Sequence, residues 1–212
     1  MKEILIADDH SIVRLGASVI ISDLIEKANI IQAETYDEVY TYIKKQSFDL
    51  LLLDINMPGG NNIRVIREIL QLQPDLKILV FSSYDENLYA LRYIEEGACG
   101  YLNKNTAMED LRVAIQSVQE RGKYMSDAVR ELHIQKLISN KAEVEKTNPL
   151  NKLSNREMDV AKHLIDGLGI LEVSNKLSLS SSTVSTYKSR VFEKLHVANI
   201  PELIELFKLH ED

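Results

Sequence analysis

The chain contains a single cysteine, Cys99, in 212 residues. That scarcity excludes an internal disulfide framework and fits a reducing compartment. Within "GACGY" the thiol has no base or metal partner nearby and reads as a small buried apolar residue. No apolar run approaches the ~18 residues that a membrane span requires. No leader pattern precedes the first apolar segment, so a cytoplasmic chain with no membrane partner is expected. Low-complexity tracts and internal repeats are missing as well. Nor is there an excess of positive charge: 25 Lys+Arg against 32 Asp+Glu give a net charge of −7, which for the chain as a whole argues against nucleic acid. What is present is an ordinary globular composition, 45% apolar and 27% charged, at a length suited to one large domain or two of common size.

The acidity is not evenly spread. Residues 1–121 hold 12 basic against 19 acidic groups, residues 122–149 hold 5 against 4, and residues 150–212 hold 8 against 9. Two modules with different jobs are implied.

Within the first module, short apolar runs alternate with segments of helical spacing. The runs are Ile4–Ala7, Ile30–Ala33, Leu50–Leu53, Ile78–Phe81 and Ala98–Leu102; helices are predicted near residues 11–26, 37–46, 62–72, 86–96 and 106–120. Unbroken apolar strands separated by helices indicate a parallel sheet covered on both faces. The expected fold is α/β: a five-stranded, doubly wound sheet of order 2-1-3-4-5 over residues 1–121. Residues 122–149 follow as a linker with a helix at about 126–140, and the polar "NKAEVEKTNPLN" (Asn140 to Asn151) reads as flexible chain. Beyond it the strand signals stop, and "LSNREMDVAKHLIDGL", "ILEVSNKL", "SSSTVSTYKSRVFEKL" and "NIPELIELFKLH" read as four short helices, a small all-α domain over 150–212. Ser154 with Glu157 forms a capping-box signature for the first of them.

"EILIADDHSIVRLG" runs a buried strand straight into two adjacent aspartates. On these residues alone, Asp8 and Asp9 are either helix-capping groups or part of a site. In a doubly wound sheet, ligands sit beyond the carboxyl ends of the strands. Asp54 ends the third strand in "LLLLDINMP", Ser82 the fourth in "ILVFSS", and Lys104 the fifth in "GYLNK". Three convergent carboxylates call for a cation, and Mg²⁺, a hard ion content with a few carboxylates and waters, suits them. A hydroxyl, an ammonium and a metal around one carboxylate can handle a phosphoryl group. Singly, Lys104 also reads as a surface charge and Ser82 as a turn residue.

On an ideal helix, Tyr187, Val191 and Leu195 fall within about 60° of Val184 and can face a core. Ser185, Thr186, Ser189, Arg190 and Glu193 occupy the opposite side, with Lys188 and Lys194 on the flanks. A plain amphipathic helix fits that pattern; so does a helix entering the major groove between two rows of phosphates. The preceding "ILEVSNKL" and the short "SLSS" turn supply helix-turn-helix spacing at about residues 170–189.

The pair "DD", the acceptor in "DINMP", the serine 28 residues beyond it and the lysine 22 further on resemble the flavodoxin-like receiver domain of two-component response regulators. "LSNREMDV", "DGL" and "LEVSNKLSLSSSTVSTYKSRVFEKL" resemble the LuxR-type helix-turn-helix of the NarL/FixJ family, and "TVSTYKSR" its EvgA and BvgA branch. The resemblance implies that Asp54 takes a phosphoryl group from a sensor histidine kinase. It also implies that Asp9, Asp54 and the backbone carbonyl of Asn56 ligate Mg²⁺, with Asp8 acting through water. Ser82 and Lys104 would contact the phosphoryl group, and Tyr101, which otherwise reads as a half-packed strand tyrosine, would turn inward behind Ser82 as a switch. Thr183, Ser185, Thr186, Lys188, Ser189, Arg190 and Lys194 are the implied DNA contacts. Expected partners are promoter duplex DNA, the cognate kinase and a second copy of the chain, with RNA polymerase a further candidate. The implied output is phosphate-controlled transcription, with no enzymatic turnover beyond phosphoryl uptake and loss at Asp54. Two readings compete: an Mg²⁺-dependent aspartyl-phosphate hydrolase, for which "DIN" offers Asn56 where a second acid is usual, and a regulator that needs no phosphate. The chain departs from the family at Asn62, where Gly is common, and at Ile170 and Leu171, where polar residues are common.

Overall fold

The computed structural model describes residues 2–57, 63–138 and 149–208. Asn62, with neighbouring Gly59 and Gly60, lies outside them, as do residues 139–148 of the expected linker and 209–212 at the end of the expected second domain. By its contacts the chain divides into two compact units, Met1–Gln135 and Lys136–Asp212.

In the first unit, strands β1 (Lys2–Ala7), β2 (Ala28–Ala33), β3 (Leu50–Leu53), β4 (Lys77–Ser82) and β5 (Gly100–Asn103) form one sheet of order β2-β1-β3-β4-β5. Every pairing is parallel. The doubly wound fold expected from the alternating runs is therefore the one observed. Helices α1 (Ser11–Leu24) and α5 (Met108–Arg121) cover one face. There Ile4, Ile6, Leu50, Leu52, Leu79, Phe81 and Leu102 pack against Ala17, Ile20, Ile21, Leu111, Ala114, Ile115 and Val118. Alternation along each strand turns Leu5, Leu51, Leu53, Ile78, Val80 and Tyr101 to the other face. They too are buried, beneath α2 (Tyr36–Lys45), α3 (Val65–Leu72) and α4 (Glu86–Glu95). Burial on both faces is why β3 reads as four consecutive leucines.

Differences from the predicted boundaries are local. α3 begins at Val65 rather than near 62, and β5 runs to Asn103. The chain stays tied to the sheet beyond α5: the Tyr124 N–H donates to the Cys99 carbonyl at 2.8 Å, and Val129 of α6 (Asp127–Ile138) is buried.

In the second unit a 3₁₀ turn (Pro149–Lys152) precedes α7 (Asn155–Ile165), α8 (Ile170–Lys176), α9 (Ser181–Leu195) and α10 (Ile200–Lys208). Pro149 to Asn151 fall in the stretch read as flexible linker, yet they form this turn, and Leu150 and Leu153 are buried. The capping box is present: Ser154 N–H donates to Glu157 Oε2 at 2.7 Å, and Glu157 N–H to Ser154 Oγ at 3.4 Å. Between α8 and α9, Ser178 adopts φ +52° and Ser180 caps α9 by accepting the Thr183 N–H at 3.1 Å.

Candidate functional site

Register builds the site. Ala7 pairs with Leu53, Leu53 with Val80, and Ser82 with Asn103. The next residue on each strand therefore emerges at the same edge. Asp54 N–H donates to the Ala7 carbonyl and Lys104 N–H to the Ser82 carbonyl, each at 2.8 Å. These bonds seat Asp54 beside β1's end and Lys104 beside β4's, with Asp8 held by its own N–H on the Ala33 carbonyl at 3.1 Å.

The side chains meet. Lys104 Nζ lies 2.6 Å from Asp8 Oδ2 and 2.7 Å from Asp54 Oδ2. Asp8 and Asp54 are each 2% exposed, whereas the Asp9 side chain reaches the rim. Burial pushes the Asp54 carboxyl above its ordinary value, against the opposing pull of Lys104 and of the Asn56 N–H, which donates to Asp54 Oδ1 at 3.0 Å. One ammonium thus bridges two buried carboxylates, while Asp9 pairs with His10. Asp9 does not cap α1: its N-cap is His10, which makes no side-chain capping bond. Asp8 instead accepts the His10 N–H at 2.9 Å.

Ligand atoms of Asp8, Asp9, His10 and Asp54 all lie within 4.8 Å of one another, a grouping able to hold a metal ion. Carboxylate oxygens in excess over nearby cations, two of them on buried acids, fit a hard divalent ion. His10 was not foreseen; its Nδ1 stands 2.7 Å from Asp9 Oδ1.

Ser82 is fully buried, and its hydroxyl hydrogen-bonds the Tyr101 phenol. Tyr101, 1% exposed, already occupies the inward position that the resemblance reserves for the phosphorylated state. Burial, offset in part by the Ser82 bond, raises its phenol far above the usual range and keeps it a neutral donor. It donates to the Tyr84 carbonyl at 3.0 Å, which also accepts Asn103 Nδ2 at 2.8 Å. Tyr84 in turn donates its hydroxyl to Asn56 Oδ1 at 2.9 Å. Tyr84 therefore links the loop beside Asp54 to β5, a role no local pattern announces. Buried Arg14 is a second unforeseen group. It donates to the Asp8 carbonyl at 2.7 Å and to Gln32 Oε1 at 3.0 Å, and pairs with Glu34. Its only sequence signal is a charge on the core-facing side of a helix.

In the second unit, Val184, Val191 and Leu195 are buried, Tyr187 is half-buried, and Thr186, Ser189, Arg190 and Glu193 are exposed, as the helical wheel indicates. Thr183, Ser185 and Lys188 are half-buried. The Lys188 ammonium lies 5.4 Å from the Phe192 ring centroid. Lys194 reaches back to Glu157 Oε2 at 2.6 Å instead of standing free at the flank. Ile170 is half-buried, while Leu171 stands 71% exposed at the start of α8.

A parallel sheet with an ammonium-bridged acidic edge, followed by a helix-turn-helix unit, is the layout of a two-domain response regulator. Residues 4–116 match the response regulator receiver domain, and residues 151–207 the luxR family of bacterial regulatory proteins. The chain belongs to the response-regulator family, with a receiver domain followed by a LuxR-type domain. Among its relatives, the fimbriae Z protein of Escherichia coli K12 is 31% identical over 209 residues, covering 98% of this chain and 97% of the relative. Response regulator GacA of Pseudomonas aeruginosa PAO1 is 30% identical over 210 residues, covering 99% and 97%. Among solved structures, the RcsB response regulator of Salmonella typhimurium superposes with a TM-score of 0.57 at 26% identity, covering 98% of each chain. An RcsB–DNA complex gives 0.56 at 26% identity and the same coverage. Among the described residues no helix is long and apolar enough to cross a membrane.

Proposed function

We propose that this chain is a cytoplasmic transcription regulator whose binding to promoter DNA is switched by phosphorylation of Asp54. The observation that carries the reading is the Lys104 ammonium bridging Asp8 and Asp54 at aligned strand ends. An Asp54 carboxylate oxygen attacks the phosphorus of a phosphohistidine on a sensor kinase. The O–P bond forms as the N–P bond breaks, and the imidazole nitrogen leaves with the electron pair. Lys104 follows the developing charge, exchanging its Asp54 contact for a phosphoryl oxygen while keeping Asp8. Asp9, Asp54 and the Asn56 carbonyl, with Asp8 through water, would hold Mg²⁺, which when bound would supply further positive charge to the phosphoryl oxygens. The Ser82 hydroxyl, lying beside Tyr101, turns to donate to the new group and hands the change to Tyr84 and β5.

The chain is not an enzyme in this reading; its chemistry is confined to its own Asp54. Where a phosphate-ester hydrolase carries a second acid, this chain has Asn56, whose side-chain oxygen is engaged by the Tyr84 hydroxyl. The phosphorylated form acts as a homodimer, which joins two weak DNA sites into one stronger one, and addresses RNA polymerase at the promoter. Relatives support the DNA step: Salmonella RcsB is known bound to promoters in the presence of phosphomimetic beryllofluoride, at 25% identity.

Promoter footprinting with and without beryllofluoride tests this. A footprint that tightens at least tenfold is the expected result; identical footprints, with beryllofluoride demonstrably bound, would overturn the phosphate switch. Lys188→Ala should lower the salt slope of binding by about one unit, against ~0.9 per phosphate contact. Lys194→Ala should lower it less, because Glu157 already holds that charge. Anisotropy titrations over a range of salt concentrations measure both.

A further inference from the structure

The outward face of α9 is short of the side chains that usually read bases, yet crowded with hydroxyls, and the structure fixes what those hydroxyls can offer. Ser185 Oγ donates to the Ser181 carbonyl at 2.9 Å, Thr186 Oγ1 to the Ser182 carbonyl at 3.0 Å, and Ser189 Oγ to the Ser185 carbonyl at 3.1 Å. A carbonyl can only accept, so each hydroxyl spends its single proton inside the helix. What remains on the outside is lone pairs. Taking the proton back for a ligand would give up an existing bond for each new one.

The neighbouring groups share that polarity. At 100° per residue, Ser189, Arg190 and Glu193 lie within about 60° of Thr186, and all four are exposed. Glu193 is an acceptor only. An acid at the centre of a face that meets phosphates is unfavourable unless it receives a proton donor from the ligand. Arg190 is the one strong donor of the four. From residue 186 to residue 193 the helix rises ~10 Å, about three base steps.

In the major groove the donors are the exocyclic amino groups, N6 of adenine and N4 of cytosine; guanine and thymine present acceptors. We infer that α9 reads its DNA site chiefly by accepting hydrogen bonds from adenine and cytosine amino groups through Thr186, Ser189 and Glu193, with Ser185 at the edge of that face and Arg190 reading a single guanine. The inference rests on the proposed DNA-binding role and specifies its substrate. Amino groups fill the outward lone pairs without disturbing the helix, and a cytosine N4 or adenine N6 also supplies the donor that Glu193 lacks.

The test uses the full chain with beryllofluoride. Sites are first selected from a randomised duplex pool. Adenines and cytosines of the selected half-site are then replaced one at a time by purine and 2-pyrimidinone, which lack the amino group. Affinity for the wild type should fall about fivefold at two or more positions. Thr186→Val, which keeps the shape and loses the hydroxyl, and Ser189→Ala should each make one of those positions indifferent to the replacement. Both residues are exposed, so the variants keep the fold, and an unchanged melting curve verifies it. Selective binding that ignores every amino-group deletion, or that is abolished only by changes to guanine, would overturn the inference and leave the regulator reading intact. Failure to select any duplex above non-specific binding would overturn both.

Discussion

Asp54→Asn should abolish acid-labile phosphate uptake from acetyl phosphate, a loss of at least a thousandfold, while raising the melting temperature of the first unit. The first effect follows from the reaction: the amide oxygen is a poor nucleophile, and among the described residues no other carboxylate shares both the Lys104 contact and the Asn56 N–H. The second follows from burial, which lifts the Asp54 carboxyl above its ordinary value despite Lys104 and Asn56. A carboxyl raised in the folded state holds its proton more tightly there. Its stabilising contribution is present below the unfolded value of ~3.9 and disappears as pH rises through the raised folded value. At neutral pH the ionised group is a net burden on the fold. Asparagine removes it, while Lys104 keeps Asp8. A gain of about 1 kcal/mol, or ~4 °C, is expected by calorimetry in a chelator. Full labelling of the variant would move the acceptor to another residue. A lower melting temperature would mean that the Lys104 pairing outweighs the cost of burial.

Glu157→Ala should destabilise the second unit by roughly 2–3 kcal/mol, enough to melt it ahead of the first. Glu157 is buried and does two jobs. Its Oε2 accepts the Ser154 N–H that closes the capping box on α7, and the same atom receives Lys194 from α9. Truncation strands the Ser154 donor and releases the tie between the helices. A domain of ~60 residues has little stability in reserve. Burial favours the neutral acid, but the hydrogen bonds from Lys194 and Ser154 prevail and hold the Glu157 carboxyl below its ordinary value. Its contribution is therefore intact above the unfolded value of ~4.3 and lost as pH falls through the lower folded value. Thermal melts of wild type and Glu157→Ala should differ at pH 7 and converge under strong acid. Glu157→Gln, which keeps an acceptor for the cap, should fall between them. Equal melts for all three would refute the double role.

The first unit is readable because the strand segments beside the site are buried on both faces and its chemical groups cluster at or just past strand ends: Asp8, Asp54 and Lys104 one step beyond, and Ser82 at the last residue of β4. "LLLL" followed by Asp54 states both facts within five letters, and parallel register does the rest. Contacts made across distance left no such mark. Tyr84 is a tyrosine in a loop until β5 arrives, and only then does its carbonyl collect Tyr101 and Asn103. Arg14 looks like an interruption in the apolar face of α1 until Asp8, Gln32 and Glu34 surround it. In α9 the wheel placed Val184 and Val191 inward correctly, because periodicity encodes burial. The same wheel set Lys194 at a phosphate-facing flank, because angle alone does not register an acid on a neighbouring helix.

In the proposed phosphorylation of Asp54, the ammonium poised between residues 8 and 54 also sets how the protein returns to rest. Once the acyl phosphate hydrolyses, the neutralising charge is already inside the pocket, still leaning on Asp8, and needs no fresh counter-ion from solvent to resettle. Recovery in that cycle is thereby a local event, confined to contacts the pocket already makes at rest.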